Sequence, residues 1–543
     1  MVNKLFFYFN IYLLFNNLYA YNFNKIRGTS LGSLFVLEPF ITPSLFYPFL
    51  GNSDKVISDT YSFCDYLGPI EANKRLKNHW EKWVDENTIK RLYETKLNTI
   101  RIPVGDYMFI PYGPYAKIEN NISCFSGSLE YLDKIISYTN KYGLNTILDI
   151  HAYKDSQNGF DNSGQTKNME IYKLNNTLYF KHWEIRTSNW IGDFDTHEKY
   201  YKRINNENIQ YSLNVIDLIL NKYKDYEGIW GLSPINEPWE YTPIDELKNF
   251  YKKIYDKFIN KWTKEKVLIL HDSFRGDLWQ SCDFLDNPLE IDVYLDTHQY
   301  IAWNGPIPFD LLLTNINNWK YPKTCFKVIV GEFSLATDNC MMWLNGFMDN
   351  LPNYPFQKCY NEVCPKYEGL NIEYIKKSSN GPFGTGISYP SINGMCPIST
   401  PIYLNSIISN KRDNEATYAS KLFSKFTTVF EQKTYGWLFW NFQTESSFYS
   451  WNYLSSYEAG YITIQDDLLK LENINDVNNN TNIKIIISLF FLIALIYLFY
   501  TFYYSKLKII NQYKYISIDS TPIKSNIINK NYKSIYVQEN III

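Results

Sequence analysis

Several residues with acid, base or hydrogen-bonding side chains stand at or just after the ends of predicted β-strands. Two of them are carboxylates, Glu237 in the segment Asn236-Glu237-Pro238 and Glu332. Two carboxyl groups on opposite sides of a bound sugar linkage can cleave it, so this pair could perform glycoside chemistry. The other residues of this kind at strand ends are Arg101, His151, His298, Tyr300 and Trp440.

The elements that must position these residues alternate between strand and helix. Short β-branched runs predict eight strands, and helical periodicity falls between many of them, for example at 79–96, 212–223 and 414–432. This alternation predicts the α/β class and a (β/α)8 TIM barrel, in which functional residues lie at the carboxyl ends of the strands. The predicted strands are 25–31, 98–104, 145–150, 229–235, 266–271, 293–299, 327–331 and 436–440.

The seventh strand is followed by a long insertion, at about 350–410, that is rich in Pro, Gly, Asn and Cys. Loops of this length are usually lids or separate excursions from a domain. We therefore expect the insertion to lie near the active face, where it could close one end of a cleft or reshape it.

Both ends of the chain have the pattern of targeting signals. We predict a signal peptide at 1–20 and the catalytic domain at 21–471. After it we predict a polar stalk at 472–484, a transmembrane helix at 485–504 and a cytosolic tail at 505–543. The tail has six lysines against two acidic residues, which the positive-inside rule places in the cytosol. We expect a single-pass type I membrane protein whose catalytic domain is extracellular or lumenal.

Composition excludes some functions and favours others. A formal net charge of −3 provides no excess positive charge for nucleic acid. The eight cysteines lie between the two hydrophobic segments, in a compartment that favours disulfides, and their pairing stays open. Sequons at Asn121, Asn175 and Asn479 fit this orientation. The histidines have no zinc spacing, so we predict neither a metal nor a cofactor.

The residues around these positions form motifs that resemble glycoside hydrolase family 5, and most of all its eukaryotic exo-β-1,3-glucanases. The motifs run in family order from Arg27 to about Gly460. They are RGTSLGSLFVLEPFITPSLF (27–46), NTIRIPVGDY (98–107), LDIHAYKDSQNGFDNSG (148–164), GLSPINEPW (231–239), DTHQY (296–300), VGEFS (330–334), CMMWLNG (340–346) and GWLFWNFQTE (436–445).

The resemblance implies a role for each matching residue. Glu237 would be the general acid and base and Glu332 the nucleophile of a retaining hydrolase that releases glucose from β-1,3-glucan ends, with transglycosylation left open. Arg101 and Tyr300 would keep Glu332 ionised, and Trp440 would give a stacking floor. The full set of implied substrate-binding residues is Glu38, Arg101, His151, Phe160, Asp161, Asn162, Asn236, His298, Tyr300 and Trp440.

Other interpretations stay open from the sequence. Arg101 could form a structural ion pair, and His298 and Trp440 could be ordinary core residues. For the whole protein, two alternatives are another β-glycanase or β-glucosidase on the same barrel, and a non-catalytic glucan-binding or adhesion protein on this scaffold. Because a binding protein has no need of both Glu237 and Glu332, the pair favours an enzyme.

Overall fold

Eight parallel strands close into a barrel in the order in which they occur along the chain. Every strand begins and ends within two residues of its predicted limits, so the predicted barrel is confirmed. The strands are β1 (Ile26–Ser30), β2 (Thr99–Gly105), β3 (Asn145–Ala152), β4 (Ile229–Ser233), β5 (Val267–His271), β6 (Val293–Gln299), β7 (Lys327–Phe333) and β8 (Gly436–Phe439).

The structure, a computed structural model, describes residues 25–46 and 57–464 with internal gaps. The gaps are 175–176, 183–185, 263–264, 287–290, 305–306, 339–340, 342, 345–359, 364–394, 399–410 and 447–448. The predicted signal peptide, stalk, transmembrane helix and tail lie outside the described residues, as does most of the predicted insertion. Within the described residues, no helix is both long and apolar enough to cross a membrane.

Helices surround the barrel between most pairs of strands. One predicted helix, 79–96, is wrong as a single element, because it is two helices separated at Val84 and Asp85. Asp85 begins the second helix by accepting a 2.7 Å hydrogen bond from the Thr88 backbone N–H. The helices are α1 (Thr60–Trp83), α2 (Glu86–Glu94), α3 (Ser128–Lys141), α4 (Asn206–Tyr223), α5 (Ile244–Lys261), α6 (Phe309–Asn318), α7 (Lys411–Lys433) and α8 (Tyr453–Glu458).

The alternation of strand and helix is incomplete between β5 and β6. There the described residues contain only the 3₁₀ turn Gly276–Leu278. A disulfide between Cys282 and Cys325 connects this segment to the start of β7. A second disulfide, Cys64–Cys124, joins α1 to the loop before α3, so disulfides predicted from the cysteine count are present.

Among the described residues, three antiparallel strand pairs interrupt the barrel pattern, two after β3 and one after β7. The first two pair Met169–Leu174 with Thr177–His182 and Gly192–Asp195 with Tyr200–Ile204. The third pairs Tyr360–Val363 with Met395–Ile398 inside the predicted insertion. Both excursions leave from carboxyl ends of strands, which is the face where barrel enzymes carry their sites.

The inside of the barrel is apolar at one level and polar above it. Buried apolar side chains from six of the strands form one cluster: Ile26, Ile147, Val267, Ile269, Tyr294, Ile329 and Leu438. Because side chains alternate along a strand, residues two and four positions later share the face of Ile147 and of Tyr294. These positions hold Asp149 and His151 on β3, and Asp296 and His298 on β6. The apolar layer therefore supports a buried layer of ionisable groups.

One irregularity turns Glu332 toward this polar layer. Thr297 on β6 pairs with Val330, but the next residue, His298, pairs with Glu332, so Gly331 is an extra residue in β7. Such a bulge shifts the alternation of side chains by one position. Glu332 consequently faces the same interior as Ile329, although strict alternation along β7 would direct it outward.

Candidate active site

Glu332 lies inside β7 and receives hydrogen bonds from one residue on β2 and one residue directly after β6. Arg101, on β2, donates from Nη1 to Glu332 Oε1 over 2.6 Å. The Tyr300 hydroxyl, directly after β6, donates to Glu332 Oε2 over 2.7 Å. Glu332 is also buried. The Arg101 cation and the neutral Tyr300 hydroxyl therefore bind its carboxylate away from bulk water.

Glu237 follows β4 and has a left-handed backbone conformation, with φ of 44°. His298 Nδ1 lies 2.6 Å from Glu237 Oε1, and Asn162 donates from Nδ2 to Glu237 Oε2 over 3.2 Å. Asn162 belongs to the 3₁₀ turn Asp161–Ser163 in the long loop after β3. A strained conformation held by side chains from other elements is typical of functional positions.

His298 brings the two glutamates into one site. Its Nδ1 also lies 3.3 Å from Glu332 Oε2. Glu237 Oε1 and Glu332 Oε2 therefore cannot be further apart than the sum of their two distances to this atom, about 5.9 Å. This upper limit places the two carboxyl groups close enough to act on the same sugar carbon.

A second set of buried polar groups positions Arg101 and Asn236. Arg101 Nη2 donates to Asn236 Oδ1 over 2.6 Å and lies 3.1 Å from Asp149 Oδ1. Asp149 Oδ2 is 2.6 Å from His151 Nδ1, and His151 Nε2 is 3.3 Å from Asn236 Nδ2. Arg101 is thus part of the site rather than an isolated structural ion pair.

Trp440 lies flat against His151, with ring centroids 5.3 Å apart and planes 5° apart. It is buried, which fits both the predicted floor of a site and the alternative of a core residue. Glu38 is also buried, and its pKa is raised well above the usual range by burial and by the charges of Asp161, Glu332 and Glu237. Among the described residues, Glu38 Oε1 has no hydrogen-bond partner.

Asp161 is buried, and burial raises its pKa to about 6 against the opposing charge of Arg186. Phe160 lies at the edge of the site, and the Arg186 guanidinium carbon lies 4.1 Å from its ring centroid. The structure therefore brings together the predicted residues, with Phe160 at the periphery.

The pKa of Glu332 is raised and that of Glu237 is lowered, which is the reverse of what a nucleophile and a general acid would require. Burial raises the pKa of Glu332 above its usual value, against the opposing charges of His298 and Arg101. Burial also acts on Glu237, but there the hydrogen bond and charge of His298 outweigh it and lower the pKa. For His298, Glu332 and Asp296 outweigh the effect of burial and raise the pKa well above its usual value. These directions favour a proton on His298, between the two glutamates.

Glu237, His271 and His298 form a group of possible metal ligands among the described residues, with their ligand atoms within 4.8 Å of one another. The chemistry of the donors does not fit a metal ion. His271 Nδ1 accepts a 2.9 Å hydrogen bond from the Ser273 backbone N–H, which leaves the ring proton of the neutral form on Nε2. The raised pKa of His298 favours a protonated ring between the two carboxylates, and a protonated ring has no lone pair for a metal.

Comparison with known proteins places this geometry in a family. Residues 69–342, about half of the chain, match the family described as Cellulase (glycosyl hydrolase family 5). The chain belongs to glycosyl hydrolase family 5. It is therefore a glycoside hydrolase, as the motifs predicted.

Several fungal enzymes are similar in sequence to this glycosyl hydrolase family 5 chain. A glucan 1,3-beta-glucosidase of Kluyveromyces lactis is 29% identical over 462 residues, which cover 81% of this chain and 89% of the relative. One of Yarrowia lipolytica is 32% identical over 350 residues, covering 60% and 71%. A sporulation-specific glucan 1,3-beta-glucosidase of Saccharomyces cerevisiae is 30% identical over 357 residues, covering 62% and 70%.

Four aromatic side chains stand exposed in the loops that follow four successive strands of this family 5 hydrolase. They are Phe160 after β3, Tyr241 after β4, Phe274 after β5 and Trp303 after β6, with exposed fractions of 37–51%. Only Phe160 was predicted. Exposed aromatic rings at the mouth of a barrel can stack on the apolar faces of sugar rings.

Three further buried residues of the site were not predicted: Asp149, His271 and Asp296. Asp149 and Asp296 each precede a site histidine by two positions, in the sequences Asp-Ile-His and Asp-Thr-His. The period of a strand places such residues on one face, so this signal was present in the sequence. His271 stood at a predicted strand end but had no distinguishing motif.

Proposed function

We propose that this chain releases glucose from the ends of β-1,3-glucans with retention of configuration. The observation that carries the proposal is the short separation of Glu237 and Glu332, at most about 5.9 Å between the oxygens that face His298. Retaining glycosidases have carboxyl groups about 5–5.5 Å apart, whereas inverting enzymes need roughly 6.5–9.5 Å to admit a water. The relatives named glucan 1,3-beta-glucosidase support the choice of substrate.

In the first step Glu332 attacks the anomeric carbon and Glu237 protonates the departing oxygen. Glu332 suits attack because Arg101 and Tyr300 fix both of its oxygens. Glu237 suits proton transfer because His298 Nδ1, which holds a proton, lies 2.6 Å from its Oε1. The proton can therefore reach Glu237 across a single hydrogen bond as the leaving oxygen develops charge.

In the second step Glu237 removes a proton from water, which then attacks the glycosyl-enzyme. Once Glu332 is esterified it loses its negative charge, and Glu237 remains as the carboxylate nearest to His298. Glu237 has by then given its proton to the leaving oxygen and is a carboxylate, which is the state that a base requires. His298, neutral after the first step, takes back the proton that Glu237 removes from water, which restores the starting state. If a sugar hydroxyl replaces the water, the same step gives transglycosylation.

The remaining site residues would hold the terminal sugar. Asn236 would donate to the sugar hydroxyl next to the reacting carbon, where a contact strengthens in the transition state. Glu38 and Asp161 are buried acceptors for other hydroxyls, and Glu38 Oε1 lacks a partner among the described residues. Trp440, stacked on His151, would form the floor, and Phe160 would contact the leaving sugar at the edge.

A second candidate is another β-glycanase activity, because the matching family carries the description Cellulase. Laminarin and a soluble cellulose derivative, incubated separately with the enzyme, separate the two. We expect glucose from laminarin in the first minutes and little product from the cellulose derivative. Oligosaccharides as the first products, or faster cleavage of the cellulose derivative, would replace this proposal with the second.

We also propose that the catalytic domain lies outside the cytosol on a single C-terminal anchor. The charge-free segment 485–504 and the lysine-rich tail after it support this orientation. Asn121, a sequon residue, is exposed in a turn and is accessible to glycosylation. Truncation near Asn480 should release a glycosylated protein into the medium, and recovery of the truncated chain only in the cytosol would contradict the orientation.

A further inference from the structure

We propose that Asp296 is a positioning residue of the site, which holds His298 in the orientation and charge state that let one ring nitrogen serve both glutamates. The inference rests on the proposed function, because it concerns how Glu237 and Glu332 are supplied with a proton. The resemblance described above implied no role for Asp296, although this residue is the first of the motif DTHQY. It is assigned here from its contacts.

The contacts of Asp296 join the strand of His298 to the strand of Glu332. Asp296 precedes His298 by two residues on β6, and its Oδ2 lies 3.5 Å from His298 Nε2. Its Oδ1 accepts a 2.7 Å hydrogen bond from the backbone N–H of Gly331, the residue before Glu332. Because Asp296 is buried, both contacts are shielded from water.

Gly331 is the residue that makes room for this carboxylate. A Cβ at position 331 would lie 2.1 Å from Asp296 Oδ1, closer than any real contact. Gly331 is also the extra residue of the bulge that turns Glu332 inward. The same glycine therefore admits Asp296 and directs Glu332, which couples the placement of the aspartate to that of the proposed nucleophile.

The groups that face His298 come from every neighbouring element of the barrel. Glu237 after β4 and Glu332 on β7 face its Nδ1, and Asp296 on its own strand faces its Nε2. His271 on β5 meets it edge to face, with ring centroids 4.4 Å apart. Arg101 on β2 adds a positive charge, which is hydrogen-bonded to Glu332.

These groups divide into three anions and one cation, plus a neutral ring. Burial, His298, Arg101 and His151 lower the pKa of His271 well below its usual value, so His271 stays neutral and does not compete for the proton. The charges of Glu332 and Asp296 raise the pKa of His298 against its burial. Asp296 is the anion on the far side of the ring, so it holds the imidazolium while leaving Nδ1 free for the two glutamates.

The test compares Asp296→Asn with Asp296→Ala and Asp272→Asn in the full-length chain. Asparagine keeps an oxygen for the Gly331 N–H but has no charge, whereas alanine loses both. Asp272 is a matched control, because it is a buried carboxylate that accepts from Tyr321 over 3.0 Å and from the Phe274 N–H over 2.8 Å. The chain has only six histidines, so ring-labelled histidine allows His298 to be followed by NMR.

We expect Asp296→Asn to lower the pKa of His298 by about 1 to 3 pH units, the effect of one nearby opposite charge. Its kcat/KM on an aryl β-glucoside, relative to the unmodified enzyme, should fall further as pH rises, because His298 then loses its proton earlier. Asp296→Ala should show the same two effects. Asp272→Asn should leave the pKa of His298 close to that of the unmodified enzyme.

An unchanged His298 pKa in Asp296→Asn, or an equal change in Asp272→Asn, would overturn the inference. Recovery of full activity at every pH by Asp296→Asn but not by Asp296→Ala would assign Asp296 a purely structural role and overturn it as well. If the unmodified enzyme cleaves no β-glucoside, the proposed function fails, yet the NMR titration still decides whether Asp296 sets the charge of His298.

Discussion

The surroundings of the two glutamates are built from different parts of the molecule. Glu332 lies within a strand, and its donors Arg101 and Tyr300 lie on or directly beside two other strands. Glu237 lies in a loop with a left-handed backbone conformation, and Asn162, one of its hydrogen-bond partners, comes from the 53 residues between β3 and α4. Glu332 is therefore called the strand-held carboxylate. Glu237 is called the loop-held carboxylate because its own backbone and its partner Asn162 lie in loops, although its other partner, His298, is on β6.

This difference matches what the two proposed roles require. A nucleophile must be aimed at one carbon, and misplacement by about 1 Å can cost roughly 100-fold in rate. An acid and base must exchange protons with a leaving group in one step and with water in the next. A rigid strand suits the first task, and a loop that opens toward the mouth suits the second.

The largest expected effect follows removal of the strand-held carboxylate. Glu332→Gln cannot form a covalent intermediate, so turnover of both laminarin and an aryl β-glucoside should be abolished. Steady-state assays with the two substrates measure this. Measurable turnover of the aryl β-glucoside by Glu332→Gln would show that Glu332 is not the nucleophile.

Removal of the loop-held carboxylate should instead separate the two substrates. Glu237→Ala lacks the proton donor, which a sugar alkoxide needs, so laminarin hydrolysis should fall by about 10²–10⁴-fold. An aryl glucoside with an acidic phenol leaves without protonation, so we expect a burst of phenol followed by slow steady-state release. Stopped-flow absorbance measures the burst.

The contrast between Glu332→Gln and Glu237→Ala is the sharpest test of the difference between the two surroundings. Equal loss of both substrates in Glu237→Ala, without a burst, is the outcome that the assigned roles do not allow. Circular dichroism on both variants checks that the barrel has folded.

A smaller, matched prediction removes one neutral donor from each glutamate. Tyr300→Phe removes a donor from the Glu332 carboxylate and raises its pKa, so the acidic limb of the kcat/KM profile should move to higher pH. Asn162→Ala removes a donor from Glu237 and makes this carboxylate more basic, so the proton that it shares with His298 should be kept to higher pH and the alkaline limb should move to higher pH. The Tyr300 bond is shorter and should be worth roughly 10–100-fold in rate, and the Asn162 bond less.

The pH profiles of these two variants decide whether the limbs belong to different glutamates. If both substitutions move the same limb, the two carboxyl groups titrate as one unit rather than separately. That result would remove the distinction between a strand-held and a loop-held group.

The sequence predicted the barrel and most of the site because both depend on regular strand geometry. Each strand was predicted within two residues, and His151 and His298 followed from their positions at strand ends. The supporting residues Asp149 and Asp296 could have been predicted from the same alternation. Each is the first residue of an Asp-x-His sequence, in which the aspartate and histidine side chains lie on one face of the strand.

Other features depend on contacts between distant parts of the chain. Strict alternation from Ile329 directs Glu332 outward, and only the pairing of β7 with β6 reveals the bulge at Gly331. The pKa directions of the glutamates depend on His298, which lies 61 residues from Glu237 along the chain. The break between α1 and α2 was missed because helical periodicity continues across Val84 and Asp85.

The last prediction concerns stability rather than rate, in the loop segment 38–46 that carries Glu38. Glu445, after β8, accepts a 2.8 Å hydrogen bond from the Ser44 backbone N–H and donates its own N–H to Ile41 O over 2.9 Å. Burial raises the pKa of Glu445 from 4.5 to about 7, against the hydrogen bonds from Ser44. Its folded pKa is thus above the unfolded value.

A raised pKa has a defined effect on stability. The unfolded chain releases the Glu445 proton near pH 4.5 while the folded chain keeps it until about pH 7, so stability should be lost as pH rises through this window. Glu445→Gln keeps an acceptor for Ser44 and does not titrate. We expect it to be more stable than the unmodified enzyme at pH 8 by about 1–3 kcal/mol, with little difference at pH 4. Thermal unfolding at a series of pH values measures this, and parallel curves for the two proteins from pH 4 to 8 would show that Glu445 does not titrate in that range.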